Sequence, residues 1–401
     1  MNRKKIAILM TDNLPVPDVK GGAIEKLVTN LINLNESEQL FDFTVYTIYD
    51  STAMVKSASY IYTKFVFFKK HEFIDKFLYF AHRVIRKIFN IIIIDSFTRY
   101  QLAKKCKYDK YDYVIVEGGN IYGLSRYVKF FNNSPILFHS HAPYDFKPYA
   151  KKANLCINYY LPVSEFVGDL RNCKINEFPR RTFVYYNRIA LSKFTVPISD
   201  REKMQIRKKL GFKETDLIYL FVGRIVREKG VLELVKAFND SKIDAKLLII
   251  GSANFGNKTK TKYEKIVYKE IAKNKNIVHL DFVENDKISK FYKVSDVSVI
   301  PSLFDDPAPL VNLESIASGL PIITTGSGGI KEYSDFTCSL YVSKNNIIDD
   351  LKSSMMIMQD ANKREQMAIC AKEIAKKFDI SNYLDELYNI VLTIESERNG
   401  S

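Results

Sequence analysis

Short continuous runs of apolar, often β-branched residues recur along the chain, separated by stretches whose apolar positions fall at helical spacing. In the first half the runs are Lys5–Met10, Phe43–Tyr49, Ile61–Phe68, Tyr113–Glu117, Ile136–His139 and Asn158–Val163. In the second half they are Leu217–Val222, Lys246–Ile250, Ile277–Asp281, Val297–Pro301 and Ile322–Thr325. Runs without polar alternation fit strands covered on both faces, as in parallel sheets. Helical patterns such as Gly22–Leu34 and Val231–Phe238 supply the crossovers. Two such series predict an α/β protein of two doubly wound parallel-sheet domains. The pattern breaks at Thr195-Val196-Pro197, and Ser199-Asp200 has the form of a helix cap. The expected organisation is therefore a domain over 1–195, a domain over 196–375 and a C-terminal helical segment over 376–401. After Thr325 only helices are expected.

The length, 401 residues with 46% hydrophobic and 26% charged, is that of a globular protein of two domains or more. No apolar stretch reaches the ~18 residues of a membrane span. The greasiest, Ile91–Ile94, stops at Asp95. Asp12 halts the N-terminal apolar run too early for a signal peptide. Cys106, Cys156, Cys173, Cys338 and Cys370 are odd in number, scattered and without C-x-x-C, so reduced core thiols in a cytoplasmic protein are expected. No H-E-x-x-H, EF-hand or G-x-x-x-x-G-K-[ST] motif occurs.

Charge divides the chain. Residues 1–195 carry 29 Lys+Arg against 17 Asp+Glu, net +12, and residues 196–401 carry 31 against 29, net +2. Residues 69–107 alone hold ten basic and three acidic residues. There Lys76, Arg83, Arg86 and Lys87 interleave with Phe73, Phe77, Tyr79, Phe80, Ile85, Ile88 and Phe89. A basic amphipathic helix of this kind suits an anionic membrane surface. The plainer reading is a solvated helix whose apolar side lies in the core. No nucleic-acid module accompanies the charge.

Three glycine- or proline-marked segments follow strands. Pro17–Ala23 holds the adjacent Gly21 and Gly22 before a helix, suited to an anion or simply to a tight turn. Phe221–Gly230 places Arg224 just beyond a strand and Lys229-Gly230 at a helix start, where two cations can neutralise a diphosphate unless the loop is merely solvated. Pro301–Pro321 runs from a strand through Asp305-Asp306 into a helix starting near Pro309, with Glu314 among apolar neighbours and in need of a partner such as ribose hydroxyls. Gly326-Ser327-Gly328-Gly329 repeats the arrangement after the next strand.

With these residues the chain resembles the retaining glycosyltransferases of family 4, of bacterial surface-glycan type. Their signature has two glutamates separated by seven residues. Here the second is Glu314, and Asp306 stands at the first. Gly223, Arg224, Lys229 and Gly230 match the family's Gly-Arg…Lys-Gly. Gly21, Gly22 and Glu25 match its glycine loop, and Ser140-His141-Ala142-Pro143 matches its N-domain histidine. The resemblance implies the GT-B fold, two facing Rossmann-like domains with a cleft between them, and a final helix crossing back to the first domain. It implies a donor site at Gly21, Gly22, Gly223, Arg224, Lys229, Asp306, Ala308, Leu310, Val311 and Glu314. Arg224 and Lys229 would hold the diphosphate, Glu314 the ribose, and Asp306 the sugar, with His141 near the reacting centre. It further implies a nucleotide-sugar co-substrate, a UDP-sugar, with no metal or other cofactor. The expected acceptor is lipid-linked or a surface glycan, met by a cytoplasmic enzyme peripheral to the inner face of the cell membrane. Asp306 is one methylene shorter than glutamate, and Pro309 replaces a glycine and its N–H. These departures keep open a non-catalytic scaffold for a partner glycosyltransferase. A GT-B epimerase or phosphorylase is the other alternative.

Overall fold

The computed structural model describes residues 3–89, 94, 96–119, 123–143, 151–169, 181–253, 260–281, 283–284 and 287–400. The apolar run at 91–93, Asp95 and Cys173, singled out in the sequence, lie outside these residues. The chain forms two compact units, one of residues 1–187 with 381–401 and one of residues 188–380.

The first unit is built on β1 (Lys4–Leu9), β2 (Phe41–Ile48), β3 (Thr63–Phe68), β4 (Tyr113–Glu117), β5 (Ile136–Ser140), β6 (Tyr159–Pro162) and β7 (Arg181–Thr182). The strands are parallel, in the order β3-β2-β1-β4-β5-β6-β7. Ile6 stands between Phe43 and Tyr113, and Ile8 between Val45 and Ile115, all fully or almost fully buried. That is why these runs read as uninterrupted apolar segments. Helix Ala23–Glu38 follows β1 and buries Leu27, Val28, Leu31 and Ile32. The C-terminal helix Tyr383–Asn399 belongs to this unit, with Leu384, Leu387 and Ile394 fully buried.

The second unit holds β8 (Ile218–Val222), β9 (Lys246–Ile250), β10 (Ile277–Leu280), β11 (Val297–Ile300), β12 (Ile322–Thr324) and β13 (Ser339–Tyr341), again parallel, in the order β10-β9-β8-β11-β12-β13. In both sheets the order reverses beside the first strand of the series, between β1 and β4 and between β8 and β11. Open α/β sheets bind ligands outside the carboxyl ends of the strands at such a reversal.

Four points differ from the sequence reading. Strand β13 follows Thr325, where only helices were expected, because three residues with a half-exposed Leu340 and an exposed Tyr341 carry too little periodicity to register. The two-residue β7, wholly exposed, escaped for the same reason. The second unit begins at Arg188, before the proline break, because Ile189 already bridges to Asp379. Finally, Cys106 and Cys338 are buried, whereas Cys156 and Cys370 are only half-buried and so are not core thiols.

Candidate active site

In the second unit, the loop after β8 and the loop after β11 are laced together. Gly230 has φ +66°, and a Cβ there would lie 2.0 Å from the Pro301 carbonyl oxygen. Only glycine lets the β8 loop press against the end of β11 in this way. Leu303 N–H then donates to the Glu228 carbonyl at 2.8 Å. This brings Lys229 onto Asp306: the two form an ion pair, and Lys229 Nζ also lies 4.8 Å from the centre of the Phe304 ring. Asp306 is buried, and its carbonyl accepts from Gly329 N–H at 2.9 Å, so the Gly326–Gly329 loop backs the acidic loop. Arg224 is exposed, and its side chain makes no hydrogen bond or ion pair with another described residue.

Helix Leu310–Ala317 starts one residue after Pro309, which is the cap and not the first-turn residue. Ala308, Leu310 and Val311 stand half-buried at this end, where the first helical amides have no intrahelical acceptor. Glu314 already has a protein partner: Tyr292, buried, donates its hydroxyl at 2.9 Å. Burial and the Glu314 charge push the Tyr292 hydroxyl well above its ordinary range, so it stays a donor. The sequence signalled Glu314 but not Tyr292, whose position looks like an ordinary apolar site on a helix.

In the first unit, Gly21 and Gly22 precede helix Ala23–Glu38, with Gly22 as its cap. Beneath them Glu25 is buried and accepts from Thr11 Oγ1 at 3.2 Å. Burial raises its pKa, and the nearby charge of Glu117 adds to this. Glu117 closes β4 and was not singled out in the sequence; the only available signal was a carboxylate ending an apolar run. It accepts from His139 Nδ1 at 3.0 Å and His141 Nε2 at 2.9 Å. Burial pushes the Glu117 carboxyl up, but the charges and hydrogen bonds of the two histidines outweigh it and hold it at about 2. Burial, then the neighbouring His139, push His141 below its ordinary value of 6.5. The His139 ring packs 5.1 Å from Tyr185, which stacks on Tyr383 at 4.4 Å and donates to its carbonyl at 2.8 Å.

A cavity of about 500 Å³ opens at the carboxyl ends of β1, β3 and β4, lined among others by Asp12, Lys70, Lys76, Tyr79 and Arg99. Lys76 and Tyr79 come from helix Glu72–Phe89, which is inverted relative to an ordinary amphipathic helix. Its buried residues are Asp75 and His82, while Phe73, Phe77, Phe80 and Ile88 are 85%, 64%, 66% and 66% exposed. Lys76, Arg83 and Lys87 are exposed beside them and Arg86 is half-buried. The apolar side does not lie in the core, which removes the plainer of the two readings of this segment. Among the described residues no helix is long and apolar enough to cross a membrane.

Comparison with known proteins bears on the second unit first. The family model for glycosyl transferases group 1 matches residues 202–374. Those residues are similar to the glycosyl transferases group 1. The matched span contains Gly223, Arg224, Lys229, Asp306 and Glu314; Gly21, Gly22 and His141 lie outside it. An uncharacterized glycosyltransferase of Methanocaldococcus jannaschii is 30% identical over 223 residues, 54% of this chain and 56% of that protein. Spore coat protein SA of Bacillus subtilis is 26% identical over 343 residues, 82% of each chain. Among solved structures, Anabaena HepE in complex with UDP superposes with a TM-score of 0.72 at 15% identity, covering 97% of this chain and all of that one. The fold is GT-B, and the match to the group 1 family model together with the glycosyltransferase relatives supports a GT-B glycosyltransferase.

Proposed function

We propose that this protein transfers a sugar from a nucleotide-sugar donor, a UDP-sugar, to a lipid-linked or surface-glycan acceptor with retention of configuration. The observation that carries the reading is the Lys229–Asp306 pair where the loops after the adjacent strands β8 and β11 meet, inside the matched span that also holds Arg224 and Glu314. Arg224 and Lys229 neutralise the donor diphosphate, Lys229 exchanging the Asp306 carboxylate for phosphate oxygens. The amides of Leu310 and Val311 add to this at the helix end. Glu314 turns from the Tyr292 hydroxyl to those of the ribose, and Asp306, with Ala308 beside it, meets the sugar. Gly21, Gly22 and Gly223 give the donor close backbone access. The acceptor hydroxyl oxygen bonds to the anomeric carbon on the face from which the UDP oxygen departs, and the hydroxyl proton passes to the leaving phosphate. The cations stabilise the charge that develops there, so no metal and no other cofactor is used. The UDP complex of HepE, a protein of the same fold, supports the choice of nucleotide.

The outward apolar stripe of helix Glu72–Phe89, flanked by Lys76, Arg83, Arg86 and Lys87, docks the enzyme on the anionic inner face of the cell membrane from the cytoplasm. Each basic residue there is worth about 1 kcal/mol. The adjoining cavity, which shares Lys76, takes the polar head of the acceptor.

A panel of nucleotide sugars, screened by the rise in melting temperature, identifies the donor, and proton NMR of the first-formed product reads its anomeric configuration. Unchanged turnover in Arg224→Ala and Lys229→Ala defeats the site assignment, and inverted product defeats retention. Loss of activity in EDTA, restored by a divalent cation, defeats the metal-free mechanism. A scaffold role is the second reading, favoured by Asp306 and Pro309 in the motif. Calorimetry that finds no nucleotide sugar bound, with a glycosyltransferase co-purifying, establishes it instead.

A further inference from the structure

We infer that Glu117 is a positioning residue that holds His141 as a neutral imidazole protonated on Nε2, leaving Nδ1 to accept a hydrogen bond from a sugar hydroxyl. The inference rests on the proposed sugar transfer and on the place near the reacting centre that the family resemblance implies for His141, and goes beyond both by fixing what that ring can and cannot contact.

The hydrogen bonds decide the proton positions. Glu117 is 2% exposed, and its carboxylate oxygens lie 2.9 Å from His141 Nε2 and 3.0 and 3.1 Å from His139 Nδ1. An ionised carboxylate only accepts, so each ring nitrogen facing it carries a proton. For a neutral His141 this leaves Nδ1 with a lone pair on the other side of the ring. A phosphate oxygen has no proton to offer that lone pair, whereas a sugar hydroxyl has one. The arrangement therefore assigns His141 to a hydroxyl, not to the diphosphate.

Three features keep the ring neutral and in place. The His139 ring centre is 4.2 Å from that of His141, so a second proton on both rings would set two cations side by side. The low pKa of His141 has the same origin, burial together with His139. Gly118, at φ +39°, brings bare backbone against the ring: a Cβ there would lie 3.1 Å from His141 Cδ2. Finally, His139 itself is braced by the Tyr185–Tyr383 stack.

Glu117, His139 and His141 also place one ligand atom each within 4.8 Å of one another, close enough for a divalent cation. Imidazoles that bind metals usually donate their second N–H to a partner. Buried His139 Nε2 has no hydrogen-bond partner among the described residues, which favours the hydrogen-bonded triad over the metal.

The test is long-range nitrogen–proton NMR of the full chain labelled with 15N-histidine, read at pH 7 without added metal. The expected wild-type His141 signal is a single Nε2–H tautomer. In Glu117→Gln that single tautomer is lost, and turnover falls roughly tenfold or more while KM for the donor changes little. A wild-type His141 that is charged or protonated on Nδ1 overturns the proposal, as does stoichiometric zinc or manganese in the purified protein. A Glu117→Gln protein with unaltered tautomer and turnover also overturns it. If that variant does not fold, the wild-type spectrum alone decides. Unchanged transfer in His141→Ala, with the wild-type tautomer as expected, instead removes His141 from the reacting centre and leaves Glu117's hold on the ring standing.

Discussion

Lys229 has two anions to choose between, the buried Asp306 carboxylate beside it and the diphosphate proposed as its substrate partner. A charge-assisted hydrogen bond contributes about 1.5–3 kcal/mol. Lys229→Ala is therefore expected to weaken UDP binding by roughly ten- to a hundredfold. Asp306→Ala removes the competitor, so UDP should bind as well or better while sugar transfer falls. Calorimetry with UDP and turnover with the intact donor separate the two variants, and equal losses of UDP affinity in both would reject the competition. A second prediction concerns acid. Glu117, at about 2 against an ordinary 4.5, binds a proton less readily in the fold than in the unfolded chain. His141, lowered from 6.5, does the same. Both contributions are present at neutral pH. His141's fades as pH falls below about 6.5, and Glu117's between about 4.5 and 2. Glu25, raised by burial, acts in the opposite sense, its contribution fading as pH rises above 4.5. The melting temperature should therefore fall as pH drops from 7 to 4 and further towards 2, and in Glu117→Gln the fall between 4.5 and 2 should be smaller; a flat wild-type profile contradicts this. Arg224 and Lys229 were visible in the sequence as cations just beyond an apolar run, Glu314 as a carboxylate among apolar neighbours, and Asp306 through its place in the signature the chain resembles. Tyr292 and Glu117 were not. Their importance comes from which carboxylate or imidazole they meet, and that depends on strands and helices remote in sequence.

At the scale of elements, helix Glu72–Phe89 shows what periodicity settles and what it leaves open. The spacing of Phe73, Phe77, Phe80, Val84 and Ile88 marks one face, but spacing does not tell which face turns inward. Here two polar groups decide. Asp75 accepts from Thr98 N–H at 3.0 Å and lies close to Ser96, and with His82 it takes the inner side. The apolar stripe is left facing out. Replacing Phe77 and Phe80 by serine should leave the melting temperature within about 1 °C, because surface changes are usually within ±0.5 kcal/mol. The same change should abolish co-sedimentation with anionic vesicles. Vesicle binding that persists in this variant, or that is insensitive to salt, counts against this helix as the membrane contact. The long buried strands were legible for the reason the helix face was not: a strand covered on both sides is apolar whichever way it turns. Strands β7 and β13, two and three residues long, sit at sheet edges and are set by their neighbours rather than by their own composition.

For the whole molecule, two series of apolar runs were enough to read two α/β units, because each series makes its own sheet. What no local pattern reveals is that residues 381–401 return to the first unit. That return is well anchored: Leu384, Leu387 and Ile394 are fully buried, and Lys4 pairs with Glu395 at 2.7 Å. Leu387→Ala should cost about 2–5 kcal/mol, measured by denaturant unfolding, with the loss confined to the first unit. A loss below about 1 kcal/mol would show the helix to be dispensable. The Tyr185–Tyr383 stack behind His139 gives this return a further meaning during synthesis. A ribosome that has released the first 187 residues has made every strand of the first sheet, but the tyrosine that backs its histidines is still almost two hundred codons away. The second unit can fold while the first waits. Premature termination between Ile380 and Tyr383 therefore leaves a complete second unit attached to an N-terminal half that lacks its brace. In such fragments protease sensitivity should appear in the half that was translated first.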